Sequence, residues 1–395
     1  MSAHTNWHRT AISVALIATG LFFLVSPHVR GNAGLVALGA ELEPSRTAAV
    51  EEISQAAPVL ENAKFETRAL SGELSTELNH WAQSATEPQW LGYAVPAIDG
   101  DKMVCCGGNG DWNGYRDCGP CHLEDGKNGN NFTTGPRETR LEGPRSIFIL
   151  YRAAEGKLGK VRVISEGCKI DAGGLRFIFL TGVSPARSVE YLSGLVRGQD
   201  LHDGHWERVP QGALTAIAMH NDSSADSAMN FFVDPSQPES LRKQTVFWLG
   251  EARGASGFQT LKKLARTETN TEIRSQITFA LSLNHDPGAL DEMIRMARED
   301  ESTHVRGQAL FWLAQKAGKK AEATIAGAIE NDPDTEVKKK AVFALSQMPK
   351  EEGVPKLIQV AQNNKNREVR KQAMFWLGQS NDPRALEFFE KILSK

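Results

Sequence analysis

At 395 residues the chain has room for two domains and a leader, and a hydrophobic share of 41% is ample for buried cores. Its 45 Lys and Arg against 48 Asp and Glu leave a net charge of −3 with the signs mixed. That excludes the basic domain or stripe by which nucleic-acid-binding proteins meet their polyanion, so no nucleic-acid partner is expected.

The N-terminus opens with a mostly polar segment, Met1–Thr10, with His8 and Arg9 near its end, followed by an apolar run from Ala11 to Val25 and the small residues Gly31-Asn32-Ala33. Charged, apolar and small segments in that order predict a secretory signal over residues 1–33, or a signal anchor if it is not cleaved. The run is short for a membrane span, which takes ~20 apolar residues. A membrane contact is therefore expected only if the leader is retained over residues 11–25. Either way the remainder is exported, to a periplasm or cell envelope, where thiols meet oxidising conditions. Residues 34–62, rich in Ala and Glu, read as a linker.

Residues 63–200 predict a small α+β domain. "WLGYAVP" (90–96), "SIFILYR" (146–152), "KVRVIS" (160–165) and "RFIFLTG" (176–182) are short, aromatic or β-branched and bounded by Gly and Pro, as strands are. "EGKLG" (155–159) fits a hairpin loop between the second and third. Leu74, Leu78, Trp81 and Ala85 share one face of a helix near 72–85. A second helix begins after Ser184, an N-cap, with Pro185 at its first position.

Between the first two strands lies a Gly- and Asn-rich insertion, 105–138, holding Cys105, Cys106, Cys118 and Cys121; Cys168 follows "KVRVIS". Four chemistries compete for "DCGPCH" (117–122). Given export, the favoured one is disulfide stapling among Cys105, Cys106, Cys118, Cys121 and Cys168, with the odd fifth cysteine left as a thiol or an intermolecular bridge. Closing a loop of ~15 residues stabilises by about 3 kcal/mol in the chain-entropy model. The second is covalent haem c on Cys118 and Cys121 with His122 as axial ligand. It lacks an evident sixth ligand, since the next Met is Met219 and only His202 and His205 lie nearby. The third is a redox dithiol, which wants a strand before and a helix after "CGPC" and has neither. The fourth is structural zinc on Cys105 or Cys106 with Cys118, Cys121 and His122. An EF-hand fails, because "NGDWNG" (109–114) leads to Pro120 where the loop needs Glu. No catalytic constellation, cofactor or metal is assigned, and haem c stands as the alternative.

The second half repeats. "VFWLGEA" (246–252), "TFALSLN" (278–284), "LFWLAQK" (310–316), "VFALSQM" (342–348) and "MFWLGQS" (374–380) recur every 32 residues. Five residues before each Phe stands Arg242, Arg274, Arg306, Lys338 or Arg370, and before that an aliphatic residue. With Val369 at 0° and about 100° per residue, Ala373, Leu377 and Trp376 form one stripe, so each unit contains an amphipathic helix. A second stripe recurs in the same frame at Leu261/Leu264, Met293/Met296, Ile325/Ala328, Leu357/Val360 and Phe389/Ile392. Two helices per period, stacked on their neighbours, predict a solenoid over 201–395, with an opening helix near 213–220 and a closing one near 383–394.

"DTEVKKKAVFALSQM" and "NREVRKQAMFWLGQS" resemble the second helix of HEAT repeats, in particular the short HEAT-like repeats of phycobilisome lyases. The resemblance spans about residues 213–395 and implies an all-α superhelix that uses a curved surface to bind another protein. Lyase-like activity is a remote implication. Phe247, Phe279, Phe311, Phe343 and Phe375 lie nearly opposite the aliphatic stripe. They are read in two ways: as rings packed between neighbouring repeats, or, with Lys243, Lys339 and Lys371, as a groove that grips the partner. Trp248, Trp312 and Trp376 are expected to be structural, and the Arg column an inter-repeat hydrogen-bond ladder. The expectation is a multidomain, exported, non-enzymatic binding scaffold with a protein partner.

Overall fold

The computed structural model describes residues 57–99, 121–124, 145–201, 209–317 and 319–394. The leader, most of the linker, Cys105, Cys106, Cys118, His202 and His205 lie outside the described residues.

Strands β1 (Val59–Glu61), β2 (Lys64–Ala69), β3 (Gln89–Pro96), β4 (Cys121–His122), β5 (Ser146–Ala154), β6 (Lys157–Ser165), β7 (Lys169–Asp171) and β8 (Arg176–Thr181) make two sheets. The larger runs β2-β8-β3-β5-β6, with β2, β8 and β3 parallel and β5 and β6 antiparallel. The smaller is β1-β7-β4, all parallel. The near-continuous apolar runs of β3, β5 and β8 are those of strands covered on both faces. Leu91, Tyr93, Val95, Ile147, Ile149, Tyr151, Ile178 and Leu180 face the helices; Trp90, Ala94, Phe148, Leu150, Phe177 and Phe179 face the small sheet.

All four predicted strands and both helices lie where the pattern places them, with ends shifted by a few residues. The β5–β6 turn is tighter than "EGKLG": only Glu155 and Gly156 turn, both with positive φ (52° and 71°), the two-residue geometry that matches strand twist. Helix α1 is Leu74–Ser84, and α2 is Pro185–Val196, whose N-cap Ser184 accepts a hydrogen bond from the Arg187 amide. The pattern misses β2, an edge strand exposed at all six residues, and β1, which occupies the end of the expected linker.

Twelve further helices follow among the described residues: α3 (Val209–Met219), α4 (Ser223–Phe232), α5 (Glu239–Glu251), α6 (Gly254–Thr267), α7 (Thr271–Leu283), α8 (Gly288–Glu299), α9 (Thr303–Ala317), α10 (Lys319–Asn331), α11 (Thr335–Gln347), α12 (Lys350–Asn363), α13 (Arg367–Gln379) and α14 (Pro383–Leu393). Asn270, Asp334 and Asn366 cap α7, α11 and α13 by accepting from the amides of their first turns. The first predicted stripe is buried in the Phe-bearing helices at Ile273, Val337 and Val369; of the second, Leu261, Met293, Ile325 and Leu357 are buried, Leu264, Ala328 and Phe389 are half-buried and Ile392 is exposed. The weak backward extension of the frame also holds, since Ile217, Met229 and Phe232 are fully buried.

The helix face of the sheet and the helical array share one hydrophobic core, running from Leu74 to Phe388. Helix α3 joins them. A Cβ on Gly212 would sit 2.0 Å from the Val161 carbonyl oxygen, so only glycine lets α3 lie this close to β6.

Candidate interaction face

Helices α5, α7, α9, α11 and α13 pack side by side, each touching the next far more extensively than α6, α8, α10, α12 and α14 touch one another. The Phe column lies on this side-by-side row of helices. Beneath it runs the Arg column. Arg274 pairs with Asp300 (3.0 Å) and Arg306 with Asp332 (2.8 Å); Arg242 pairs with Glu268. Each of these acids stands 26 residues beyond its arginine, at the end of the next repeat's other helix. Arg274 and Arg306 also donate to the backbone carbonyls of the turn just before their own helix, Glu268 and Asp300. The predicted inter-repeat ladder is thus present, as buried ion pairs. At the fourth step the cation is Lys338 and the acid position is Asn364; Lys338 donates to the Glu330 carbonyl, and Asn364 donates to the Glu330 carboxylate.

Above the Arg column the aromatic rings form an unbroken series. Phe247 stacks on Phe279 (6.1 Å), which meets Trp312 (4.6 Å). Trp312 meets Phe311 (4.8 Å), and Phe311 stacks on Phe343 (5.8 Å). Phe343 meets Trp376 (4.9 Å), which meets Phe375 (5.0 Å). Trp follows Phe in alternate repeats only; Ala280 and Ala344 take its place in the others, and the Trp of the next repeat meets the Phe beside each of them. Trp312 and Trp376 are thus part of the series and half-buried, a role their side-stripe position did not reveal; Trp248 is buried. Phe247, Phe279, Phe311 and Phe343 are half-buried, packed against neighbours yet reaching the surface, and Phe375 is 54% exposed. The rings pack between neighbouring repeats, as the first reading expects, and the series reaches the surface at Phe375. Lys243, Lys339 and Lys371 each pair with an acid one turn back: Glu239 (2.6 Å), Glu336 (3.0 Å) and Glu368 (3.0 Å).

In the sheet region, pairing of β4 with β7 sets Cys121 opposite Ile170 and His122 opposite Asp171, in the strand that follows Cys168. Cys121 and Cys168 are each 1% exposed in the core under the large sheet, with Leu123 and Ile170, and neither is a free thiol. His122 is exposed; its Nδ1 lies 2.9 Å from Asp171 Oδ2. The Gly173 amide holds the Asp171 carboxyl below the usual carboxylate range, with His122 and Asn62 adding to the effect and partial burial opposing it. Glu124 pins this segment to the sheet by accepting from the Trp90 indole (2.7 Å) and from Arg152 (2.8 Å). Among the described residues no three His, Cys, Asp or Glu side chains are grouped to hold a metal.

One pair resembles a nucleophile and its base: Ser188 Oγ lies 2.8 Å from His220 Nε2. Both are 0% exposed, so no substrate reaches them. The pair continues through Tyr93 (2.7 Å from Ser188) to Tyr151 (2.8 Å from Tyr93) and serves to join elements.

Residues 321–395 match the family of HEAT repeats. The helical array is a HEAT-like solenoid. Among solved structures, the solenoid is similar to the complex of CpcE and CpcF of phycocyanin lyase from Nostoc sp. PCC7120, at 20% identity over 39% of this chain and 99% of that one, with a TM-score of 0.31. Human deoxyhypusine hydroxylase matches at 16% identity over 52% of this chain and 90% of that one (TM-score 0.28). Kap121p matches at 12% over 53% and 27% (TM-score 0.34). No curated protein matches the chain in sequence.

Proposed function

We propose that this protein is an exported, non-enzymatic scaffold that grips a protein partner on the Phe-bearing face of its HEAT-like solenoid. The observation that carries this reading is the unbroken series of rings from Phe247 to Phe375, half-buried along its length and exposed at Phe375. Aromatic side chains supply large contact area at low entropic cost, and interfaces are enriched in them. The cations flanking the rings are neutralised by their own acids, so the face is amphipathic without strong charge.

The test uses the exposed end of the face. Phe375→Ala combined with Lys371→Glu removes surface groups only, so the thermal midpoint is expected to stay within a few degrees of wild type. Affinity capture from native envelope extract is expected to lose its partner. Partner retention by this variant, and by Phe311→Ala, would overturn the assignment.

The sheet region is proposed to be stapled by disulfides among Cys105, Cys106, Cys118, Cys121 and Cys168. Burial of Cys121 and Cys168 in an apolar core, neither of them a free thiol, supports stapling over thioether attachment of haem c at Cys118 and Cys121. Non-reduced peptide mass spectrometry of protein from its native envelope tests this and the leader together. Mass shifts of cystine pairs and a mature N-terminus near residue 33 are expected; a haem adduct on Cys121 would refute the staple.

A further inference from the structure

We propose that His220 is an acid-labile latch between the sheet and the first helix pair of the solenoid. The polar chain that crosses this junction has only one consistent direction. His220 Nδ1 lies 2.6 Å from the Ala216 carbonyl, which can only accept, so Nδ1 carries the proton. With the ring neutral, Nε2 must then accept from Ser188 Oγ at 2.8 Å. Ser188 in turn accepts from the Tyr93 hydroxyl, and Tyr93 from Tyr151. The chain thus ties α3 to α2, β3 and β5.

A second set of bonds joins the same place. The Ile98 amide donates to the Met219 carbonyl (2.8 Å), and the Asn221 amide to that of Pro96 (3.0 Å). Protonating Nε2 turns an acceptor into a donor. Ser188 must then send its proton to Tyr93 or leave it unbonded, and every link beyond reverses. Buried hydrogen bonds left unmade are costly, and so is a buried charge.

Its neighbours make the site hostile to a cation. Arg253, reaching back from the loop before α6, donates to the His220 carbonyl (2.5 Å) and stands with its charge already matched by Asp226 (2.8 Å). Asp222, at the start of α4, is the acid that favours a charged ring; Asp99 binds Asn221 (3.3 Å). From the sheet and α2 the facing groups are Tyr93, Tyr151, Ser188 and Tyr191, and burial pushes all three phenols up, so none supplies a counter-charge. Burial, with Arg253 adding to it, pushes His220 down to about 4, while the Ala216 carbonyl opposes.

The full chain tests the latch by hydrogen exchange between about pH 6.5 and 4.5, corrected for intrinsic rates. Linkage with a native value of about 4 and an unfolded value of 6.5 predicts that opening at Val209–Met219 rises roughly 40-fold over this range. Exchange in Thr335–Gln347 is expected to change far less. His220→Gln keeps both bonds, an amide N–H to Ala216 and an amide oxygen for Ser188, and removes the titration, so the rise should vanish. Should that variant not fold, nitrogen NMR of histidine-labelled wild type gives the answer directly: one imidazole neutral as the Nδ1–H tautomer at about pH 5, where exposed histidines are charged. Equal exchange at both pH values, or every histidine charged at that pH, would overturn the latch.

Discussion

Gly212 and His220 sit eight residues apart on one helix and its exit, and each sets a different property of the same junction. Gly212 sets the distance: Gly212→Ala drives a methyl group into the Val161 carbonyl, and overpacking of this kind costs about 1–3 kcal/mol. A urea midpoint lowered accordingly, with unchanged slope, is the expected result; an unchanged midpoint would show that α3 can ride higher on the sheet. His220 sets the acid response. Its native value, near 4, lies below the unfolded 6.5, so its contribution is fully present above 6.5 and is lost as pH falls through 4. The difference corresponds to about 3 kcal/mol, measurable as the pH dependence of the urea midpoint that disappears in His220→Gln.

At the scale of elements, the Arg column decides how one repeat is fastened to the next. Asp300→Asn leaves Arg274 buried with only the exposed Glu301 as an ionic partner, and breaking a buried pair on one side costs about 3–5 kcal/mol. The chain already carries a solution without the pair, Lys338 with Asn364. Arg274→Lys together with Asp300→Asn should therefore cost less than Asp300→Asn alone, as measured by denaturation of both variants. A double variant no more stable than the single one would mean that the fourth step depends on its surroundings instead. The 32-residue period made these helices legible, because each repeats the same buried stripe and the same cation. The alternation of Trp and Ala was equally visible in the letters, but its effect was not. Contact of Trp312 with Phe279 and of Trp376 with Phe343 depends on inter-repeat stacking, which helical phase alone does not give. Strands β2 and β4 escaped for other reasons. The first is solvent-exposed throughout and so has no apolar alternation, and the second is two residues long and exists only by pairing with β7.

Across the whole molecule, the helix-facing side of the sheet and the solenoid bury their apolar residues in one core, so the Phe-bearing face is carried on a body that begins at the sheet. Sequence texture divides the chain near residue 200, where composition changes from aromatic strands to repeated helices; the packing runs across that point through α2, α3 and β6. A shared core predicts that circular dichroism of the helices and the assigned fluorine NMR signals of fluorotryptophan at Trp81 and Trp90 in the sheet region follow one unfolding curve at neutral pH. Two separated midpoints would show the parts to be independent. The central claim, that the Phe-bearing face holds a protein partner, is tested most directly by photo-crosslinking in the native cell. A benzophenone amino acid is placed in turn at Phe311, Phe343 and Phe375, and at the exposed Glu387 and Lys391 on α14. One common adduct is expected from the three ring positions and none from α14. An adduct from α14 alone, or equally from both sets, would contradict the claim.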